Sequence, residues 1–215
     1  MVAANVFSQP FKSELRYIRF LEDNAVAGWN NKRKVMQRYD ATAQGYDELY
    51  GREQKAKYMA ALKNLNVAGN MILDVGCGSG MFFKEIAAKT KAVVGVDISR
   101  NLLLLAKKQA RGFGNVFVVQ SDADYLPFVD SSFNGVFAFT VLQNMPKPSV
   151  ALAEWKRVAK KSGKVVVTAL KKAIPLGTFM DLVEAAGFTV VSFLDDEALK
   201  CYVSALETSR FASDT

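Results

Sequence analysis

Three carboxylates and three glycines are the residues of this sequence whose types and spacing can do chemistry. In Met71-Ile-Leu-Asp-Val-Gly-Cys-Gly-Ser-Gly-Met-Phe-Phe83, Asp74 stands two residues before Gly76, and Gly76, Gly78 and Gly80 alternate along the chain. Glycines at these places let the backbone reverse sharply and come close to a ligand that a Cβ would keep away. The spacing is G-x-G-x-G, which differs from the G-x-G-x-x-G of dinucleotide folds. A pyrophosphate would be repelled by Asp74, whereas a ligand carrying an ammonium and a sulfonium would be attracted to it. Among nucleotide-like cofactors this favours S-adenosylmethionine over NAD. A plain strand-turn-helix connection is the other reading of the same stretch.

The second carboxylate, Asp97, ends the apolar run Ala92-Val-Val-Gly-Val and lies 21 residues beyond Gly76. That is the separation at which an acid at the end of a second strand accepts both hydroxyls of a ribose. Asp97 and Ser99 are also good helix-capping types, so a cap on the following helix is the alternative. The third, Asp122, follows the apolar run Asn115 to Gln120, in Ser121-Asp122-Ala123-Asp124. Read from the residues alone, this is equally a solvated acidic turn before Leu126-Pro127-Phe128.

The elements that must position these residues follow from periodicity. Met71–Val75, Ala92–Asp97, Asn115–Gln120, Ser132–Phe139 and Val165–Ala169 read as buried strands alternating with helices over Met81–Lys89, Arg100–Arg111 and Ser149–Lys160. A helix from Pro175 through Ala186 stops at Gly187, and two strands, Phe188–Leu194 and Ala198–Leu206, close the chain around Asp195-Asp196-Glu197. The alternation predicts an α/β, doubly wound sheet. Ahead of it, residues 11–23 carry Phe11, Leu15, Ile18 and Leu21 at helical spacing, and Glu53–Leu65 reads as a further helix. The last residues are expected to fray.

Composition narrows the function classes. The 215 residues suit one domain, half are apolar and 23% are charged. No apolar run reaches the roughly 18 residues of a membrane span, so a cytoplasmic location is expected. Histidine is absent, which removes imidazole bases, histidine metal ligands and catalytic triads; the two cysteines, Cys77 and Cys201, form no disulfide framework or zinc pattern. Nothing in the sequence calls for a metal. The net charge of +7 is consistent with simple solubility or with an acidic partner such as RNA.

Leu73-Asp-Val-Gly-Cys-Gly-Ser-Gly80 closely resembles the glycine-rich motif of the class I S-adenosylmethionine-dependent methyltransferases. Tyr39-Asp-Ala-Thr-Ala-Gln-Gly-Tyr-Asp47 is similar to the entry segment that precedes that motif in many small members, and Glu154 to Lys164 resembles their turn into strand five. The resemblance covers residues 39 to 206. It implies a Rossmann-like seven-stranded sheet of order 3-2-1-4-5-7-6 with the last strand antiparallel, residues 46–215 forming the methyltransferase domain and residues 1–45 a helical N-terminal extension or lid. It also implies cofactor contacts: Asp74 and the Gly76, Cys77, Gly78 and Gly80 segment with the methionine part, Asp97 with the ribose, Ile98 lining the pocket, Asp122 and Ala123 with the adenine. Tyr39 and Tyr46 are lid candidates, with core packing as the alternative. Thr140, a further expected cofactor contact, begins the segment Thr140–Asn144 at the end of strand four, where the methyl-accepting atom must sit. The sequence departs from the family at Asn134, where an aspartate is usual, and at Gln143 and Asn144, where many relatives carry histidines. Those amides either orient an acceptor or cap the next helix.

The reaction this implies is in-line transfer of a methyl group from S-adenosylmethionine, leaving S-adenosylhomocysteine. No catalytic base stands out; a tyrosine or carboxylate would have to serve, or an amine acceptor would have to arrive neutral. A small-molecule acceptor fits the compact chain. An RNA acceptor fits the basic residues Lys32, Arg33, Lys34 and Arg38 together with Lys171 and Lys172. A third reading is a subunit that binds cofactor or a partner without catalysis.

Overall fold

A computed structural model describes residues 28–208 except residue 64. The helix expected over residues 11–23 and the terminal residues 209–215 lie outside the described residues. A helix, α1, covers residues 28–42, and a short 3-10 turn, Ala43–Gly45, leads into α2, Tyr46–Leu62. Then follow β1 (Met71–Val75), α3 (Phe83–Ile86), β2 (Ala92–Asp97), α4 (Arg100–Ala110), β3 (Val116–Gln120) and β4 (Phe133–Ala138). The chain continues through α5 (Pro148–Val158), β5 (Ala159–Leu170), α6 (Leu176–Ala185), β6 (Phe188–Leu194) and β7 (Cys201–Thr208).

The strands form one sheet of order β3-β2-β1-β4-β5-β7-β6. The pairs among β1 to β5 are parallel, and β7 runs antiparallel between β5 and β6. Both sheet faces are covered, as a parallel sheet requires. Leu73 and Val75 of β1 face a core completed by Leu152 and Trp155 of α5 and Phe179 of α6. Ile72, one residue out of phase, faces a second core with Tyr58 of α2, Phe83 of α3 and Leu103 of α4. Asp74 lies on this second face by the same alternation, which explains why a carboxylate is only 2% exposed.

Several elements depart from the periodicity reading for identifiable reasons. α2 begins at Tyr46 and not at Glu53, because Asp47 and Glu48 occupy its first turn, where acids suit the helix dipole. The expected helix Met81–Lys89 shrinks to one turn of α3 and a 3-10 turn, Ala87–Lys89. β5 starts at Ala159, since that residue already pairs with Phe133 before an irregularity shifts the register to Gly135↔Lys164. Leu104, inside the apolar run of α4, is exposed, because a 3.6-residue period cannot bury four consecutive leucines. Asn134 acts structurally, its Oδ1 accepting from Met71 N at 3.1 Å and so tying β4 to the start of β1. No helix among the described residues is long and apolar enough to cross a membrane.

Candidate active site

The carboxyl ends of β1, β2, β3 and β4 meet at one cavity, the place where open α/β sheets bind ligands. It is lined by Gly76 and Gly78 after β1, Asp97 and Ile98 at β2, Asp122 and Ala123 after β3, and Thr140, Val141 and Asn144 after β4. Tyr39 of α1 and Tyr46 of α2 form part of the same wall, together with Lys32 and Val35.

The glycine turn is built for close approach. Gly76 holds φ at +67°, and a Cβ there would stand 2.4 Å from Val141 Cγ2. Gly80 serves packing, since a Cβ would stand 2.5 Å from the Phe83 ring and 3.2 Å from Ala106 Cα, so this glycine lies behind the cavity. Cys77 also turns inward, buried in the core with Phe82 and Phe83, while its amide donates to Val96 O at 2.9 Å. Of the expected contact residues, Cys77, Gly80 and Asp74 therefore do not line the cavity. Asp74 lies beneath it, with Oδ2 lacking a hydrogen-bond partner among the described residues. Burial, and secondarily the Asp97 charge, push its carboxyl well above the ordinary range.

Asp97 is held from both sides, its Oδ2 accepting from Gly78 N at 2.9 Å and its Oδ1 from Ser99 N at 2.8 Å. The Ile98 amide also faces the carboxylate, whose remaining lone-pair capacity is open to a ligand hydroxyl. The helix cap on α4 is Ser99, whose Oγ accepts from Leu102 N; Asp97 is not used that way. Burial raises the Asp97 carboxyl despite its amide partners.

The turn after β3 is fixed from α5: Trp155 Nε1 donates to Ala123 O at 3.0 Å, and Glu154 Oε1 accepts from Leu126 N at 2.7 Å. Asp122 is already engaged. Lys32 of α1, 8% exposed, places Nζ 2.7 Å from Asp122 Oδ2 and 2.6 Å from Asp124 Oδ2, with the Tyr125 ring 5.3 Å away. Burial alone would lower the Lys32 ammonium, but its hydrogen bonds to the two carboxylates prevail and raise it. In the sequence Lys32 reads as one member of a basic patch. Its pairing spans 90 positions and is not visible locally, although Lys32, Val35 and Tyr39 do share one helix face at i, i+3, i+7.

The rest of α1 closes over the same opening. Asn144 Oδ1 accepts from Arg38 at 3.1 Å, its Nδ2 donates to the Tyr39 hydroxyl at 3.3 Å, and Asp40 accepts from Asn101 N at the start of α4. Asp47 of α2 pairs with Ser79 Oγ in the glycine turn. Tyr39 and Tyr46 stack edge to face, 5.9 Å between ring centroids. Gln143 and Asn144 both donate side-chain amides to Thr140 O, so Gln143 serves to shape the turn.

Thr140 is a β-branched residue at φ +62°, a conformation that costs about 1–3 kcal/mol and persists only where its surroundings fix it. Those surroundings are Thr168 Oγ1, 2.7 Å from Thr140 N, and two side chains of α2 that reach Thr140 Oγ1: Lys57 Nζ at 3.0 Å and Gln54 Nε2 at 3.4 Å. Neither α2 residue stands out in the sequence, because both precede Thr140 by more than 80 positions and α2 shows no strong amphipathic pattern to orient it.

The sequence pattern of a family described as "Methyltransferase domain" matches residues 73–167, from the first strand of the sheet through the fifth. A curated relative, the demethylmenaquinone methyltransferase of Staphylococcus aureus, is 34% identical over 144 residues, 63% of this chain and 60% of that one. The chain thus spans about 60% of the length of the curated relatives it matches. Among solved structures, a SAM dependent methyltransferase from Aquifex aeolicus superposes with a TM-score of 0.68 at 20% identity, covering 78% of this chain and 97% of that one. The cyclase SpnF superposes with a TM-score of 0.67 at 22% identity, over 79% of this chain and 76% of that one. Likeness at this level shows the shared fold, which hosts more than one chemistry. The motif Leu73–Gly80, the sheet order and the methyltransferase-domain pattern over residues 73–167 agree with one another, and through this segment the chain is similar to the class I S-adenosylmethionine-dependent methyltransferases, whose fold it shares.

Proposed function

We propose that this chain binds S-adenosylmethionine in the cavity and methylates a small molecule. One observation carries the reading: the residues that sequence spacing assigns to a glycine turn, a ribose acid and an adenine turn converge on a single cavity at the carboxyl edge of the sheet. The residues present fit the cofactor. An orphaned buried carboxylate oxygen lies under the turn at Asp74, and the Gly76 cradle is one a Cβ would fill. Asp97 would accept the ribose hydroxyls on its spare lone pairs, Ile98 and Ala123 would flank the adenine with Asp122 at its edge, and Asp74 would offset the positive charge of the methionine part. Bound there, S-adenosylmethionine supplies a methyl group already activated by its sulfonium, so the chain has to align an acceptor and exclude water. Residues 28–45 act as the lid, with Tyr39 and Tyr46 closing the cavity.

A small-molecule acceptor is supported by the relative named for demethylmenaquinone, and by what the structure does with the basic residues. Lys32 is buried against two carboxylates, Arg38 lies on the Tyr39 ring, and Lys171 pairs with Asp195. Lys32 and Lys171 are thus neutralised by carboxylates of the chain, while Arg33, Lys34, Arg38 and Lys172 stay exposed, so the pairing removes part of the basic surface that phosphate binding uses. The test is transfer from radiolabelled S-adenosylmethionine into an extract separated into RNA, protein and small-molecule fractions. Counts in the small-molecule fraction are expected; nuclease-sensitive counts would replace the reading with an RNA-modifying one. Cofactor binding without transfer to any fraction would instead favour a non-catalytic subunit.

A further inference from the structure

The hydroxyl of Thr140 accepts hydrogen bonds from two N–H donors, Lys57 Nζ at 3.0 Å and Gln54 Nε2 at 3.4 Å. With both lone pairs of the oxygen occupied, its own proton must be given elsewhere. With the Gln54 amide oriented to donate, and its own Oε1 left without a partner, no hydrogen bond from that proton to a described residue is formed, and Thr140 lines the cavity. The donor behind it is charged and sealed: Lys57 is 1% exposed. Its carboxylate partner, Glu53 at 2.9 Å, also serves Lys200 at 3.2 Å, so two ammonium groups share one carboxylate. Cys201, which also contacts Lys57, is a buried thiol raised by burial and therefore neutral, so it does not cancel the charge. The Thr140 hydroxyl is thus a polarised donor aimed at a ligand, backed by net positive charge. Its left-handed backbone, otherwise unfavourable for threonine, is what the surrounding bonds hold in place.

We infer that Thr140 is the hydrogen-bond donor to an oxyanion on the methyl acceptor, with Lys57 and Gln54 as positioning residues, so that the acceptor is of the ionisable hydroxyl class, a phenol or enol and not an amine. This rests on the methyltransferase reading above and says which acceptors that site takes. It also accounts for a chain without histidine: an acceptor bound as its oxyanion has already given its proton to solvent and needs no base from the protein. An ammonium acceptor would be disfavoured on the Thr140 side of the cavity, which Lys57 backs.

The test uses 4-nitrophenol, whose phenolate absorbs visible light and whose phenol does not, titrated with the full chain in the presence of S-adenosylhomocysteine. Wild type is expected to bind phenolate about tenfold more tightly than phenol, read as a fall of about one unit in the dye's apparent pKa. Thr140→Val and Lys57→Met should lose that preference, and Thr140→Ser should keep it. A dye that fails to bind, binds both forms equally, or keeps its preference in folded Thr140→Val overturns the inference. If Thr140→Val does not fold, Lys57→Gln decides, because it keeps a donor beside Thr140 while dropping the charge; an undiminished preference there is equally fatal. Calorimetry of S-adenosylhomocysteine with wild type separates the two readings. No cofactor binding alongside a retained phenolate preference would sink the methyltransferase proposal and leave the oxyanion site standing.

Discussion

Asp97, half-buried, and Asp74, buried, are acids beside the same turn, yet they are in opposite situations. Asp97 is held by backbone amides and lines the cavity, so its contribution is expected in ligand binding. Asp97→Ala should weaken S-adenosylmethionine binding by more than tenfold in a folded domain, since a charged hydrogen-bond partner contributes about 1.5–3 kcal/mol; calorimetry showing unchanged affinity would remove the ribose assignment. Asp74 has an oxygen without a partner among the described residues, and its carboxyl is raised above the ordinary 3.8. A raised folded value means stability that is complete below the unfolded value and is lost as pH rises through the folded one. Asp74→Asn, which does not titrate, should therefore melt above wild type at neutral pH without cofactor, by a few degrees for about 1 kcal/mol in a chain of this size. The gap should close below the ordinary carboxylate range. S-adenosylmethionine should stabilise wild type more than the variant. A melting curve in which wild type stays ahead at neutral pH would show that Asp74 is satisfied as an anion.

At the scale of elements, the proposed lid role falls to α1. It is fastened at three points along its length: Lys32 to Asp122 and Asp124, Arg38 and Tyr39 to Asn144, and Asp40 to the start of α4. Only the Lys32 fastening is a buried charge pair, so most of the local stability should reside there. Lys32→Met is expected to speed amide hydrogen exchange across residues 28–42 by tenfold or more while leaving β1 unchanged. A lid opens locally at lower free energy than the core. Equal exchange in the two proteins would mean that α1 is held by its apolar face and not by the ion pairs. The same element explains the difference between sequence and structure at Lys32: the cluster Lys32, Arg33, Lys34 and Arg38 reads as a surface patch, but the helix turns one of its members inward.

The whole molecule is a three-layer structure in which β5, β7 and β6 extend the parallel half without contributing to the cavity. Cys77 lies in the core beside the glycine turn and Cys201 begins β7, both buried. Burial raises both thiols, the Cys77 one well above its ordinary value and with Asp74 and Asp97 adding to the effect. Neither is therefore a nucleophile at neutral pH, because the thiolate is the reactive form. Labelling by a thiol reagent in native buffer should be slow for both and should rise together with global unfolding measured by circular dichroism. Fast labelling of Cys77 alone would reveal an opening of the glycine turn that the packing around Phe82 and Phe83 does not suggest.

The fold was largely legible in the sequence. Period-two and period-3.6 patterns depend only on neighbouring side chains, so β1, β2 and α4 fall within a residue of their expected limits. The alternating glycines and the acids at Asp97 and Asp122 are likewise local signals, and they mark out most of the cavity. What the sequence by itself did not determine is which of those residues face the ligand and what stands opposite them. Asp74 at the end of β1 and Cys77 in the turn flank Gly76, but the pleat of β1 and the packing of Phe83 put them behind the wall. The Lys32 pairs and the Lys57 and Gln54 bonds to Thr140 span more than 80 positions. Such contacts carry no periodicity; they exist only because the sheet order brings α1 and α2 over the carboxyl ends of strands that follow them in the chain.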